Sequence, residues 1–306
     1  DATHNTAVGM DSMKAHETGN ECTAIGYIAL NANTTGAGNT IVGSYAGDVN
    51  TTGGNNSALG HNALGANTTA SYNTAIGNSS LIANTTGAQN TAVGHSALAA
   101  NTDVSFNTAV GSSAGAALSS GGNFVGMGYN AGASATSATG TTLIGSLAGD
   151  AITSADYNTA LGYAALSASI TGAQNTAVGT YALQNALEDN NTAVGYAAMQ
   201  GCTTGEYNVA VGHAALDAVV TGDQNVAIGY TALTTNTSGY YNVMVGSNAG
   251  GLITTGPLNV GVGRGALSTL VSGQENTAIG YNALATTTVS DNTAVGAYAG
   301  DALTTG

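Results

Sequence analysis

A five-residue phrase, Asn-Thr-Ala-Val-Gly, returns along this chain at a nearly constant interval. Its glycine recurs as Gly9, Gly26, Gly43, Gly60, Gly77, Gly94, Gly111, Gly128, Gly145, Gly162, Gly179, Gly195, Gly212, Gly229, Gly246, Gly263, Gly280 and Gly296. The step between these eighteen glycines is 17 residues, shortened to 16 between Gly179 and Gly195 and between Gly280 and Gly296. Both short steps lose a residue just before the asparagine, so the loop there tolerates deletion. Helix-pair repeats need more than about thirty residues, so a period this short excludes them.

Within each repeat, numbered from the asparagine, position 1 is Asn except at Cys22, Phe124 and Thr141. Position 2 is Thr, Ser or Val, and position 3 is Ala in thirteen copies and never polar. Position 4 is always Val, Ile, Leu or Met, position 5 always Gly, and position 8 Ala except at Ser12 and Ser80. Position 9 is Leu, Met or Gly, and positions 12 to 15 approximate Asn-Thr-Thr-Gly. A β-branched triplet closed by glycine, with a second glycine later in the period, predicts a short strand bounded by turns. The fold expected is all-β: a parallel β-solenoid, or β-roll, of about eighteen 17-residue coils, each bonded to the next. At a rise of about 4.8 Å per coil the array would be a rod of roughly 85 Å. Equivalent residues would form ladders, with asparagine amides bonded along the axis. The invariant glycine would supply a positive φ or a close backbone approach.

No linker or change of composition interrupts the repeat, so residues 1–306 read as a single solenoid domain. No distinct capping sequence appears at either terminus, and an open coil exposes unpaired backbone groups. The expectation is a segment of a longer fibre, or a subunit stacking end to end into a filament.

Strand side chains alternate in direction, so positions 3 and 4 face opposite ways. Both are apolar throughout, and charge is confined to positions 6, 7, 10 and 13 to 17. The expectation is that position 4 fills the coil and that the alanine rank, including Ala92, Ala177 and Ala278, packs against another subunit. Cyclic symmetry is the usual solution for such a homo-oligomer.

The phrases "NTAVGYAAM" at Asn191 and "NTAIGYNAL" at Asn276 resemble the "NTAVGYxAL" repeat of tail-fibre-like proteins of bacteriophages and environmental bacteria. They are also similar to the shorter head repeat of trimeric autotransporter adhesins, Asn-Ser-Val-Ala-Ile-Gly followed by alanine. The resemblance covers essentially the whole chain. It implies a left-handed roll wound as a homotrimer in an extracellular fibre, a cell-surface appendage or virion fibre, with a cell-surface glycan or protein as receptor.

Composition narrows the functional classes. Sixteen acids against Lys14 and Arg264 give a net charge of −14, the opposite of the basic patch that nucleic-acid binding requires. There is no run of about 18 apolar residues to insert into a membrane as a helix. Cys22 and Cys202 lie ten repeats apart and would not pair within a rigid array.

No catalytic constellation stands out, no cofactor is implied, and the chain is not expected to be an enzyme. His61, His95 and His213 share position 6 but never fall in consecutive coils; with His4 and His16 they read as solvated loop residues. The recurring Ala-Gly-Asp at Ala46, Ala148 and Ala299 lacks the nonapeptide of calcium-binding rolls. The glycine spacing from Gly121 to Gly128 lacks the strand-then-helix context of a dinucleotide cradle. Asn33, Asn50, Asn67 and Asn84 match the N-glycosylation acceptor, as the repeat generates automatically.

Two binding readings remain. The Thr34, Thr51, Thr68, Thr85 and Thr102 rank offers an alternative function, an ice-binding solenoid, although a flat ice face needs Thr-x-Thr rather than adjacent threonines. The outward positions 6, 7 and 16 to 17 hold all fourteen tyrosines. Of these, Tyr27, Tyr129, Tyr163, Tyr196, Tyr230 and Tyr281 share position 6 and are candidate ligand contacts, through stacking on sugars or packing on protein.

Overall fold

The computed structural model describes residues 2–218 and 220–303. Two compact units divide it, residues 1–157 and 158–306. Each is a parallel β-solenoid of 17-residue coils, and no described residue is helical. Every coil contributes one three-residue strand, from Thr6–Val8 to Thr142–Ile144 in the first unit and from Thr159–Leu161 to Thr293–Val295 in the second. Pairing is in register. Thr74, Ala75 and Ile76 lie opposite Thr91, Ala92 and Val93, and Val209, Ala210 and Val211 opposite Val226, Ala227 and Ile228.

The glycine at position 5 is required by both its conformation and its neighbour. Gly94 has φ +137°, a region that only glycine visits freely. A Cβ there would stand 2.4 Å from the carbonyl oxygen of Gly111 in the next coil. Successive coils can therefore approach along this edge only where the earlier of the two carries glycine. The turn that follows alternates in hand: position 7 and position 9 take positive φ even when not glycine, as at Ser96 (53°) and Leu98 (50°).

The asparagines at position 1 form a buried ladder. Asn39 donates from Nδ2 to the Gly53 carbonyl at 2.8 Å, and its Oδ1 accepts the Asn56 backbone N–H at 3.0 Å. The amide thus acts as an additional peptide group, completing backbone bonds where the loop leaves its carbonyl and N–H unpaired. A second ladder at position 12 runs through Asn33, Asn50, Asn67 and Asn84, each later Nδ2 donating to the Oδ1 before it at 2.9–3.0 Å. The replacements in the first ladder keep what they can. Thr141 Oγ1 donates to the Ala155 carbonyl, Cys22 Sγ faces the Gly36 carbonyl, and Phe124 retains only the bond from its own N–H to Asn107.

The strand faces opposite to the direction expected. Alanine at position 3 is interior: Ala92, Ala177 and Ala278 have no exposure within the single chain. Position 4 is the outward side, with Ile76 39%, Leu161 47% and Leu59 52% exposed. Ala92, Ala177 and Ala278 are therefore core residues and not subunit contacts. The reason lies in the asparagine ladder. Positions 1 and 3 share a face, and the amide at position 1 must point inward to reach the loop carbonyls.

Core volume is conserved coil by coil through an exchange between positions 3 and 9. Ala58 is accompanied by Leu64 and Ala75 by Leu81, all buried. Where position 3 is large, as at Ile41, Leu143 and Met244, position 9 is Gly47, Gly149 or Gly250. A Cβ at Gly149 would stand 2.8 Å from Leu143 Cδ2, and one at Gly250 2.8 Å from Met244 Sδ. Phe124 extends the exchange over two coils, its ring filling space beside Gly115, Gly126 and Gly132, where added Cβ atoms would meet it at 2.9, 2.6 and 2.8 Å. This close packing at constant volume is what allows one coil shape to repeat.

Candidate functional site

Beyond the position-5 glycine the chain turns outward, and positions 6 and 7 of successive coils make ranks of side chains on the surface. In the first unit Tyr27 meets Tyr45 edge-on at 5.2 Å, and Tyr45 meets His61 at 6.2 Å. The hydroxyl contact with Tyr27 raises the Tyr45 pKa above its ordinary value. Tyr129 is exposed and outside this cluster.

The second unit carries a longer ladder. Tyr163, Tyr181, Tyr196, His213 and Tyr230 come from consecutive coils, with centroid separations of 5.5, 6.1, 5.1 and 5.3 Å. The first two contacts are edge-on, whereas His213 lies stacked between Tyr196 and Tyr230 at interplanar angles of 19° and 26°. Those separations are close to the strand spacing of about 4.8 Å, so the rings around His213 face along the stacking direction. His213 is exposed, as expected of a loop histidine, and is in addition a member of an aromatic stack.

The ladder stops at Tyr230. The next two coils bring Ser247 and Asn248, then Arg264 and Gly265, before Tyr281 and Asn282 restore an aromatic. The gap is an open groove of about 360 Å³ lined by Tyr230, Ser247, Arg264, Ser268, Tyr281 and Asn282, among others. Arg264 lies over the Tyr281 ring at 5.6 Å, and its Nη1 donates to the Tyr281 hydroxyl at 3.2 Å. Tyr281 in turn meets Tyr298 at 5.1 Å, and their hydroxyl contact raises the Tyr298 pKa. The candidate tyrosines of the second unit thus form one surface with a break in it. Arg264, Ser247 and Gly265 were missed in the sequence. Their signal was the loss of the aromatic at position 6 in two successive repeats.

Other candidates resolve differently. His16 occupies position 12, the second asparagine ladder, where Nε2 lies 2.6 Å from the Gly19 carbonyl and Nδ1 3.0 Å from Asn33 Nδ2; it is a ladder member and not a solvated loop residue. Asn33, Asn50, Asn67 and Asn84 are buried in that ladder, so these acceptor sites are closed in the folded chain. Thr34, Thr51, Thr68 and Thr85 each donate Oγ1 to the carbonyl of the equivalent threonine in the next coil at 2.9–3.1 Å. Cys22 and Cys202 are free and buried, and burial pushes the Cys202 thiol up to about 11.

Asp48, Asp150 and Asp217 occupy position 10, and partial burial raises the pKa of each above 3.8. Among the described residues no three His, Cys, Asp or Glu side chains converge as metal ligands, and no helix is long and apolar enough to cross a membrane. Compared with known proteins, the chain matches no family model and no curated protein.

Proposed function

We propose that the chain is a non-enzymatic shaft of an extracellular fibre, in which copies associate side by side and surface aromatics engage a receptor. The observation that carries this is the outward rank at position 4. Val, Ile, Leu or Met stands there in every repeat, none of them buried, and each unit carries its own such rank. Its flanking rank at position 2 is Thr, Ser or Val, so the whole outer strand face is free of charge.

An apolar stripe repeated from coil to coil within each unit marks an association surface. Covering one half-exposed Val or Ile contributes roughly 1 kcal/mol, and repetition along the coils multiplies that small term. Every copy carries the same stripe, so the fitting partner is another copy of this chain in a closed cyclic assembly. Three copies is the number that the resemblance to trimeric fibre repeats suggests. The exposed tyrosine clusters lie at positions 6 and 7, past the glycine bend, where they stay available to a glycan or protein receptor.

Electron micrographs of the purified chain test this reading. Slender particles of uniform width, wider than one coil, are expected; dispersed single coils would overturn it.

A further inference from the structure

We infer that the groove between Tyr230 and Tyr281 binds an acidic sugar, a pyranose bearing a carboxylate, by pairing the carboxylate with Arg264 while the ring packs on Tyr230. This deepens the receptor-binding part of the proposed function by naming the ligand's chemistry.

Three observations converge on it. The first is geometric. One face of Tyr230 is covered by His213 at 5.3 Å, and its other face is turned to the coil in which Ser247 replaces an aromatic. Arg264 belongs to the coil after that, two coils from Tyr230, a separation of about 9–10 Å at the strand spacing. Two van der Waals contacts of roughly 4 Å take up most of that gap, which leaves a slot for one ring with a flat apolar face. Gly265 at position 7 lets the Asn282 amide form the floor of the slot, since Asn282 Oδ1 would lie 2.2 Å from any Cβ placed there. The groove volume of about 360 Å³ suits a small ligand.

The second is electrostatic. The chain holds only two basic side chains, Lys14 and Arg264. Lys14 is paired with Asp11 at 3.1 Å, whereas among the described residues no acid pairs with Arg264. Its guanidinium is fixed by the Tyr281 ring and hydroxyl, which leaves other N–H donors of its planar fork for a bidentate carboxylate. Overall the chain repels anions at −14, yet at physiological salt that repulsion is screened beyond about 8 Å. The contact at Arg264 then decides the outcome.

The third is the remaining lining. Thr231, Ser247, Asn248, Ser268 and Asn282 present hydroxyls and amides around the slot. Such groups pair with the hydroxyls of a sugar, and the tyrosine faces supply the apolar surface for its C–H side. A bare anion would use only Arg264, and a neutral sugar would leave it unpaired.

Ligand-observed NMR titration of the folded chain tests the assignment, with sodium glucuronate as probe, glucose as its uncharged counterpart and acetate as the charge alone. Glucuronate is expected to bind at least about tenfold more tightly than either. Arg264→Ala should remove that preference, Arg264→Lys should keep part of it, and Ser247→Tyr should close the slot to both sugars. These positions are on the surface, and an unchanged melting curve confirms that each variant is folded. Equal binding of glucose and glucuronate, acetate binding as tightly as glucuronate, or no saturable glucuronate binding would each overturn the proposal. None of these outcomes bears on association through position 4, which is read separately from molar mass.

Discussion

Ile41 fills the space that neighbouring coils give to a leucine at position 9: its Cδ1, Cγ2 and Cγ1 lie 3.5, 3.6 and 3.8 Å from where a Cβ on Gly47 would stand. Ile41→Ala alone should therefore open a cavity and lower stability by about 2–4 kcal/mol. Gly47→Leu alone overfills the coil, at about 1–3 kcal/mol. The double variant recreates the Ala58 and Leu64 arrangement, and φ at Gly47 (+52°) matches that of Leu64 (+54°). Chemical denaturation should place it within about 1 kcal/mol of wild type, a strongly non-additive cycle. Additive losses would show that the two residues do not share one volume.

That exchange was present in the sequence, and it decides which face of the strand is inside. The period, strand, turn glycine and ladders followed directly from the repeat, because each needs only a spacing and a residue type. The burial of Ala92, Ala177 and Ala278 did not. With both strand faces apolar, alternation alone leaves the choice open. The asparagine at position 1 and the leucine–glycine exchange at position 9 settle it, and both require knowing where the loop crosses the core. The groove at Arg264 was less legible still, since it is defined by what Ser247 and Gly265 lack.

The asparagine ladder gives a test that separates hydrogen bonding from volume. Asn90 donates its own N–H to Asn73 Oδ1, donates Nδ2 to the Val104 carbonyl, and accepts the Asn107 N–H. Asn90→Ala leaves the buried Asn107 N–H and the part-buried Val104 carbonyl unpaired, a loss of about 2–4 kcal/mol. Asn90→Asp keeps the acceptor but sets a buried carboxylate against the Val104 carbonyl, and should be the worse of the two at neutral pH. Thermal melts at pH 7 give the order; Asp outlasting Ala would contradict the donor role.

Stability should rise as the pH is lowered from neutrality. Burial raises the pKa of Asp48, Asp150 and Asp217 above 3.8, so the folded chain holds these protons more tightly than the unfolded one. Stability is then full below the unfolded value and falls as pH climbs through the folded pKa. Asp150 Oδ1 is also buried without a hydrogen-bond partner. Asp150→Asn, which keeps the shape and removes the charge, should raise Tm at pH 7 and flatten the slope of Tm against pH between about 4 and 7. A Tm that falls on acidification over that range would contradict this.

The threonine rank should not make the chain an ice binder. Thr34, Thr51, Thr68 and Thr85 donate their hydroxyl protons along the stack, and the position-2 rank turns to Val209, Val226, Val243 and Val260. Nanolitre osmometry of dilute protein is expected to show no thermal hysteresis. A measurable gap between freezing and melting would restore the ice-binding alternative.

The central claim is that the outward position-4 rank, and not the alanine rank, joins copies of this chain. Sedimentation equilibrium measures it directly, on wild type, on Ile76→Glu with Leu161→Glu, and on Ala92→Asp. Wild type should sediment at a whole-number multiple of the chain mass, with three expected. The double glutamate variant should sediment at one chain mass with its β-type circular dichroism intact, because both positions lie on the exposed face. Ala92→Asp should lose the fold itself, since that charge would be driven into the core. Wild type at a single chain mass, or Ala92→Asp folded as a monomer, would contradict the account.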